Sequence, residues 1–74
     1  MTSVPLDSSL LTSVAFDPLR NILRVEFRNR AVYAFWGVPD TVHNSLLRAS
    51  SKGAYFNRSI RGKFPFCRLQ ASGR

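Results

Sequence analysis

The residues that could carry out acid–base, nucleophilic or metal chemistry are few and scattered in the sequence. His43 is the only histidine and Cys67 the only cysteine, and two such ligands alone do not form a zinc site. The four acidic residues show no paired spacing, and no glycine-rich phosphate loop is present. We interpret His43 as a partly exposed helix residue. We therefore predict a protein that is not an enzyme and that uses no metal or other cofactor.

The basic residues provide the clearest functional signal. Eleven lysines and arginines against four acidic residues give a formal net charge of +7, and residues 1–19 contain no basic side chain. Such a charge favours an anionic partner, for example nucleic acid. Arg58 and Arg61 are three residues apart on a predicted helix, and Lys63 follows. This spacing suits contacts with phosphates, although cations at a helix C-terminus also stabilise the helix dipole by about 0.3–1 kcal/mol each.

A second candidate surface combines a cation with an aromatic ring. Arg24 and Trp36 are predicted to share the outer face of a β-sheet, where they could form a platform on which bases stack. Trp36 stands beside Gly37, and two other interpretations of it remain open. In the first, Trp36 packs beneath a helix as part of the core. In the second, Trp36 belongs to an exposed protein interface. Tyr33 and Phe35 are assigned to the core first.

These candidates depend on a β-hairpin that spans Ile22 to Trp36. Leu23, Val25 and Phe27 alternate with charged residues, which is the two-residue period of a strand with one buried face. The second half of the stretch is rich in aromatic and β-branched residues, and this composition also favours a strand.

The turn of the hairpin decides which aromatic residues share the buried face. A two-residue turn at Asn29 and Arg30 would place Tyr33 and Phe35 on the sheet face that is opposite to the face of the apolar residues of the preceding strand. A three-residue loop, Arg28–Arg30, would place them on the same face. We prefer the three-residue loop because it gathers five large apolar side chains on one side. It requires Arg30 to adopt a positive φ angle, a conformation in which glycine is favoured.

The remaining elements predict an α+β fold. A short strand is predicted over Leu11–Asp17, and the three strands form an antiparallel meander because consecutive strands usually pair. Two short helices, at about Pro39–Ser50 and Gly53–Arg61, follow and pack on one face of the sheet. Ser51 is placed to cap the second helix, and Phe56 and Ile60 of that helix face the core.

The whole chain, residues 1–74, is predicted to be one small domain with flexible ends at residues 1–9 and 70–74. Ser8 and Ser9 are expected to form a turn or cap. Phe64–Phe66 is expected to be extended and to dock on the sheet edge or on a partner. A chain of this length buries only about 60% of its unfolded surface, so dimerisation could supplement its core.

The sequence shows no signal that points away from the cytoplasm. A single cysteine excludes an internal disulfide, as expected in a reducing compartment. There is no run of about 18 apolar residues, and the N-terminus lacks the basic start and apolar block of a signal peptide. We predict a cytoplasmic protein.

The sequence resembles the KTSC family over nearly its whole length, from about Val4 to Phe64. The most specific part is the run Ala-x-Ser-x-Gly-x-Tyr-Phe-Asn. The residues that carry the resemblance are Ser8-Ser9, Phe16-Asp17, Leu23-x-Val25-x-Phe27, Asn29, Tyr33-x-Phe35, Val38-Pro39 and Ala49-x-Ser51-x-Gly53-x-Tyr55-Phe56-Asn57-x-x-Ile60-Arg61. In three places the family's usual residue differs: Phe16 and Phe35 replace tyrosines, and Arg30 replaces the turn glycine.

The resemblance implies an association with RNA. The family is named for the C-terminal region of some lysyl-tRNA synthetases, and it also occurs as stand-alone small proteins in bacteria and phages. We predict a non-enzymatic module that binds RNA or another nucleic acid through Arg58, Arg61, Lys63, Arg24 and Trp36. The alternative is a protein-interaction or homodimerisation module, compatible with a phage origin, that uses the outer sheet face and Phe64–Phe66.

Overall fold

Five antiparallel strands and two helices make up residues 3–71, the part of the chain that the structure, a computed structural model, describes. The strands lie in the order β1-β2-β3-β4-β5. The predicted α+β class is confirmed, but the predicted count of three strands is wrong, since one further strand lies at each sheet edge. In chain order the elements are β1 Ser3–Pro5, β2 Leu11–Asp17, β3 Ile22–Phe27, β4 Val32–Phe35, α1 Asp40–Arg48, α2 Lys52–Ser59 and β5 Phe66–Gln70.

The hairpin of β3 and β4 has the predicted three-residue loop. Val25 lies opposite Tyr33, and the backbone N–H of Phe27 donates to the carbonyl of Ala31 at 2.9 Å. Arg30 adopts a φ angle of 73°. This register places the aromatic side chains of β4 on the same sheet face as the apolar side chains of β3.

The core lies between that sheet face and the two helices. Among its fully buried sheet residues, Leu23 and Val25 of β3 alternate as the two-residue period predicts. Leu11 and Val14 of β2 are three residues apart, because the register of β2 shifts between Leu11 and Ser13. Leu46 of α1 and Phe56 of α2 cover them, together with Ile60 directly after α2. The buried hydrophobic residues of this cluster are Leu6, Leu11, Val14, Leu23, Val25, Phe35, Val38, Leu46, Phe56 and Ile60.

Helix α1 is shorter than predicted at both ends. Pro39 is its N-cap residue, with φ −71° and ψ 155°, and Ala49 leaves the helix with ψ 138°. The extended backbone of Ala49 ends the helix, and Leu46 is the one residue of α1 that is buried. Among the helices of residues 3–71, none is long and apolar enough to cross a membrane.

Helix α2 begins where the sequence predicts a cap and ends earlier than predicted. The Ser51 hydroxyl accepts a hydrogen bond from the backbone N–H of Ala54 at 3.3 Å, which confirms the predicted cap. Phe56 and Ile60 are buried, also as predicted. The helix ends at Ser59, so Arg61 lies beyond the helix.

The two edge strands lie in segments for which no strand was predicted. Ser3–Pro5 pairs with β2, and Phe66–Gln70 pairs with β4. The prediction that Phe64–Phe66 docks on the sheet edge is confirmed, because the backbone N–H of Trp36 donates to the carbonyl of Pro65 at 2.9 Å. Gln70, predicted to start a flexible tail, is the last residue of β5. The predictions for residues 1–2 and 72–74 lie outside the described residues.

Ser8 forms the turn before β2, as predicted. The Ser8 hydroxyl accepts hydrogen bonds from the backbone N–H groups of Leu10 and Leu11, both at 3.2 Å. The Arg28 side chain then ties the N-terminal segment to the hairpin, since its Nε donates to the carbonyl of Ser8 at 2.8 Å. Arg28 therefore has a structural role, because it holds the N-terminal segment against the hairpin.

Candidate functional site

Five aromatic rings form a continuous cluster on the helix side of the sheet. Phe56 of α2 meets two sheet rings edge to face: Phe27 at a centroid distance of 5.2 Å and Phe35 at 5.6 Å. Tyr33 and Phe66 continue the cluster toward the sheet edge, with 5.4 Å between their centroids. Edge-to-face pairs are favoured by the aromatic quadrupole, so the cluster has a defined geometry.

The cluster is open on one side. Phe35 and Phe56 are 3% and 2% exposed, whereas Phe66 is 54% exposed, and Tyr33 and Phe27 are half-buried. A groove of about 530 Å³ lies over these rings, between the turn after α2 and strand β5. This volume is in the range of small-molecule and cofactor sites.

Two arginines border this groove. Arg68 lies opposite Tyr33 in the pairing of β4 with β5, which places it on the groove side of the sheet. Arg61 lies in the turn after α2, where its Nη1 donates to Oδ1 of Asn57 at 3.4 Å. Both arginines are exposed and line the groove. We call this site the aromatic groove, formed by Phe27, Tyr33, Phe35, Phe56, Phe66, Arg61 and Arg68.

The structure separates Arg58 from Arg61, which the sequence placed on one helix face. Because α2 ends at Ser59, Arg61 turns into the aromatic groove. The Arg58 guanidinium lies over the Tyr55 ring, 5.7 Å from its centroid. Together with Arg48 it lines a separate depression of about 360 Å³ between the two helices.

Lys63, the third residue of the predicted patch, is exposed in the turn after α2. Its backbone N–H donates to the carbonyl of Ile60 at 3.0 Å. Its side chain lines neither the aromatic groove nor the Arg48–Arg58 depression.

Arg24 lies on the outer face of the sheet, as predicted. It stands opposite Ala34 and lines a shallow depression together with Glu26. Trp36 is 39% exposed and therefore is not a core residue beneath a helix. Within residues 3–71 there is no cation–π contact between the Arg24 guanidinium and the Trp36 ring, so the two residues do not form a preassembled platform.

Most cations in the described region have no acidic partner there. Within residues 3–71, Arg20 and Asp17 form the single ion pair, with 3.3 Å between Nη1 and Oδ2. No acidic residue lines the aromatic groove. The positive charge of Arg61 and Arg68 is therefore not neutralised within the described part of the fold.

His43 has a structural environment. Its ring stacks on Phe16 with 4.8 Å between centroids and an interplanar angle of 11°, and among the described residues its buried Nε2 has no hydrogen-bond partner. Burial lowers the pKa of His43, while a hydrogen bond with Asn44 and the charge of Asp40 act in the opposite direction. A half-buried ring stacked on the half-buried Phe16 agrees with the interpretation of His43 as a partly exposed helix residue.

The described residues contain no group of three or more histidine, cysteine, aspartate or glutamate side chains that could hold a metal ion. What the fold brings together is a set of aromatic rings and cations. Such a set binds by stacking and by charge; we identify no nucleophile–base pair in it.

Sequence reasoning missed Arg68 as a site residue, and it named Phe66 only as part of Phe64–Phe66 in the protein-interaction alternative. A signal was present, because Phe66 and Arg68 are two residues apart and a strand would place them on one face. The segment Phe64–Phe66 was predicted to be extended and to dock on the sheet edge or on a partner, but its register against β4 was not predicted. That register sets Phe66 opposite Phe35.

Comparisons with known proteins place the chain in a family. The KTSC domain model matches residues 7–64. An uncharacterized protein from Stutzerimonas stutzeri is 45% identical over 58 residues, which cover 78% of this chain and 82% of that protein. A lysine–tRNA ligase from Nostoc punctiforme is 35% identical over 63 residues, which cover 85% of this chain but only 11% of the ligase.

A solved structure is similar over almost the full length. The crystal structure of a KTSC domain protein from Yersinia pestis superposes with a TM-score of 0.90 at 33% sequence identity, and the match covers 93% of this chain and 97% of that chain. Sequence and structure thus agree with the resemblance inferred from the Ala-x-Ser-x-Gly-x-Tyr-Phe-Asn run. The chain belongs to the KTSC domain family.

Proposed function

We propose that this small KTSC domain binds RNA and holds its phosphates with exposed arginines. The observation that carries the proposal is the set of cations around the end of α2 without acidic partners in the described region. Arg61 and Arg68 border the aromatic groove, and Arg58 and Lys63 lie on either side of Arg61 in sequence. A carboxylate-free group of arginines and aromatic rings suits a polyanion that also carries flat apolar groups.

The guanidinium group favours phosphate in particular. Its planar set of donors forms paired, charge-assisted hydrogen bonds with phosphate oxygens. Each phosphate that a cation neutralises releases counterions, which contributes about −0.7 to the slope of log K against log salt for a single strand. Binding through this group should therefore weaken steeply as salt rises.

The choice of RNA rests on the relatives. Lysine–tRNA ligases, whose name refers to a tRNA, contain a region similar to this chain. That region spans only 11% of the ligase from Nostoc punctiforme. A small module attached to such an enzyme is suited to add contacts with RNA.

A salt titration with charge-removing variants tests the proposal. Affinity for a fluorescein-labelled single-stranded RNA would be measured at several KCl concentrations. We expect the double variant Arg58→Gln/Arg61→Gln to bind more weakly and to flatten the log–log slope by about 1–2 units.

A matched pair of single variants separates local contact from net charge. Arg61→Gln and Arg20→Gln each remove one positive charge, but Arg20 is already paired with Asp17. We expect Arg20→Gln to leave the slope near that of the wild type. Absence of affinity for RNA and DNA at low salt would refute the proposal, as would an unchanged slope in the double variant.

A protein-interaction module is the second candidate. It is favoured by the outer edge of β5, which has no partner strand within residues 3–71. Phe66 and Leu69 on this strand are 54% and 55% exposed, and an unpaired strand edge can accept a strand from another chain. Sedimentation equilibrium would detect homodimers. An interface of this kind should persist at high salt, unlike contacts with phosphates.

A further inference from the structure

We infer that the aromatic groove binds an unpaired base of single-stranded RNA, while Arg61 and Arg68 contact the adjoining phosphates. This inference rests on the proposed RNA binding and names its site and its substrate form. It assigns a role to Phe66, Arg68 and Tyr33, which the basic patch alone does not use.

The first argument is the exposed aromatic surface. Phe66 is 54% exposed, and its ring is tilted by 37° relative to that of Tyr33, so the two rings are in contact but are not stacked in parallel. Phe35 and Phe56 beneath them are buried and meet edge to face at 76°. The buried rings of Phe35 and Phe56 form the floor of the groove, and the exposed ring of Phe66 forms its open wall. A flat ring can lie over this floor without rearrangement of the core.

The second argument is charge. Neither Asp nor Glu lines the groove, whereas Arg61 and Arg68 do. An apolar peptide would leave both guanidinium groups at the rim without an anionic partner. A nucleotide supplies a flat ring for the floor and an anionic phosphate for the rim, so its two parts match the two parts of the groove.

The third argument is a polar group at the hairpin end of the groove. Asn29 lines the groove, and its Oδ1 accepts a hydrogen bond from the backbone N–H of Ala31 at 3.0 Å. This bond orients the side chain and uses its oxygen as the acceptor, so the amide nitrogen Nδ2 remains as a donor for another group. A donor beside a stacking surface can contact the polar edge of a base.

The location of the rings predicts a preference for single strands. The aromatic floor lies inside a groove, between the turn after α2 and β5. Bases in a duplex are stacked and paired, and they cannot enter such a groove unless the duplex opens. A duplex would therefore reach only the arginines at the rim.

Part of this site lies outside the segment that the family model matches. The family model matches residues 7–64, whereas Phe66 and Arg68 belong to β5. The open wall of the groove and one of its two cations thus come from the C-terminal strand, and the floor comes from the matched segment.

The test compares single-stranded with duplex RNA, and it compares variants on the two opposite faces of β5. Affinity would be measured for a single-stranded RNA that contains 2-aminopurine and for a duplex of the same sequence. Phe66→Leu removes the ring but keeps an apolar side chain. Leu69→Ala is the matched control, because Leu69 is equally exposed on β5 but lines the outer sheet face. Thermal melting would verify that each variant folds.

We expect wild-type protein to bind the single strand more tightly than the duplex and to quench 2-aminopurine fluorescence. Loss of one stacked base lowers affinity by about 5- to 150-fold, so Phe66→Leu should show a loss in this range, with less quenching. Its salt slope should stay unchanged, since both arginines remain. Arg68→Gln should instead flatten the slope, and Leu69→Ala should behave as the wild type.

The outcomes distinguish the inference from the proposed function. Equal affinity for single strand and duplex, together with unchanged binding by Phe66→Leu, would overturn the groove as the base site but leave RNA binding in place. Absence of binding to both forms at low salt would overturn the proposed function, and the inference with it.

Discussion

Arg30 is the residue with the clearest conflict between side chain and backbone. It holds a φ angle of 73°, which suits glycine and costs other residues conformational energy. Its backbone N–H donates to the carbonyl of Phe27 at 2.9 Å, so the hairpin loop keeps it there. The conformation is required by the register that places Tyr33 and Phe35 on the inner face.

We therefore expect Arg30→Gly to stabilise the fold by about 0.5–1 kcal/mol, the strain relieved being partly offset by the greater freedom of glycine in the unfolded chain. Urea unfolding would measure the change. Asn21→Gly is the matched control, since Asn21 also has a positive φ, 55°, but asparagine tolerates this region. A loss of stability in Arg30→Gly would contradict the account of the loop.

The lowered pKa of His43 predicts that the stability of the folded protein depends on pH. Because burial lowers its pKa in the folded state, the unfolded chain takes up the proton first as pH falls. Stability is thus complete above the ordinary histidine pKa of about 6.5 and is lost as pH falls from there through the folded pKa.

Urea unfolding between about pH 8 and pH 5 tests this sign. We expect the wild type to lose stability over that range, and His43→Phe, which can keep a ring on Phe16, to lose less. Carboxylates titrate in both proteins and cancel in the comparison. An identical loss in the two proteins would show that His43 does not contribute.

At the scale of elements, helix α2 is held mainly by Phe56. Its ring is 2% exposed and meets both Phe27 and Phe35. Phe56→Ala should cost about 3–5 kcal/mol, a large share of the stability of so small a domain. Phe27 borders the open groove, so Phe27→Ala should cost less. A larger loss from Phe27→Ala in urea unfolding would be inconsistent with this order.

Local patterns were sufficient to predict the centre of the sheet. The alternation of Leu23, Val25 and Phe27 specifies a strand, and gathering the apolar side chains on one face selected the three-residue loop. The serine cap of α2 was equally predictable, since Ser51 directly precedes its helix. Each of these features depends on residues close together in the chain.

The edge strands could not be predicted in the same way. Ser3–Pro5 has three residues and contains a proline, too short to show a period. Phe66–Gln70 alternates less clearly, and its partner β4 lies beyond both helices in sequence. The aromatic groove needs that long-range pairing to bring Phe66 to Tyr33. The sequence therefore predicted arginines as contacts without predicting the ring surface beside them.

At the scale of the whole molecule, the excess of basic over acidic residues predicts that positive charges repel one another within the folded protein. The formal net charge is +7, and a single ion pair is present within residues 3–71. The molecule measures 32 × 26 × 24 Å. The Debye length is about 30 Å at 0.01 M salt and about 8 Å at 0.15 M, so at low salt charges repel across the whole fold.

We therefore expect the melting temperature to rise when NaCl is increased from about 0.01 to 0.15 M, because salt screens repulsion that destabilises the compact state. Differential scanning calorimetry without nucleic acid would measure the shift. Arg58→Gln/Arg61→Gln removes two positive charges and lowers the formal net charge from +7 to +5, so it should melt higher than the wild type at low salt and respond less to NaCl.

Lys63→Arg, which keeps the charge, is the matched control and should show the wild-type response to salt. A wild-type melting temperature that falls with NaCl would contradict the repulsion account, as would a double variant with the wild-type response. If the account is right, the arginines proposed to bind phosphate destabilise the free protein at low salt. An anionic ligand should then raise the melting temperature most where salt is lowest, since it adds its own binding energy and removes repulsion at the same time.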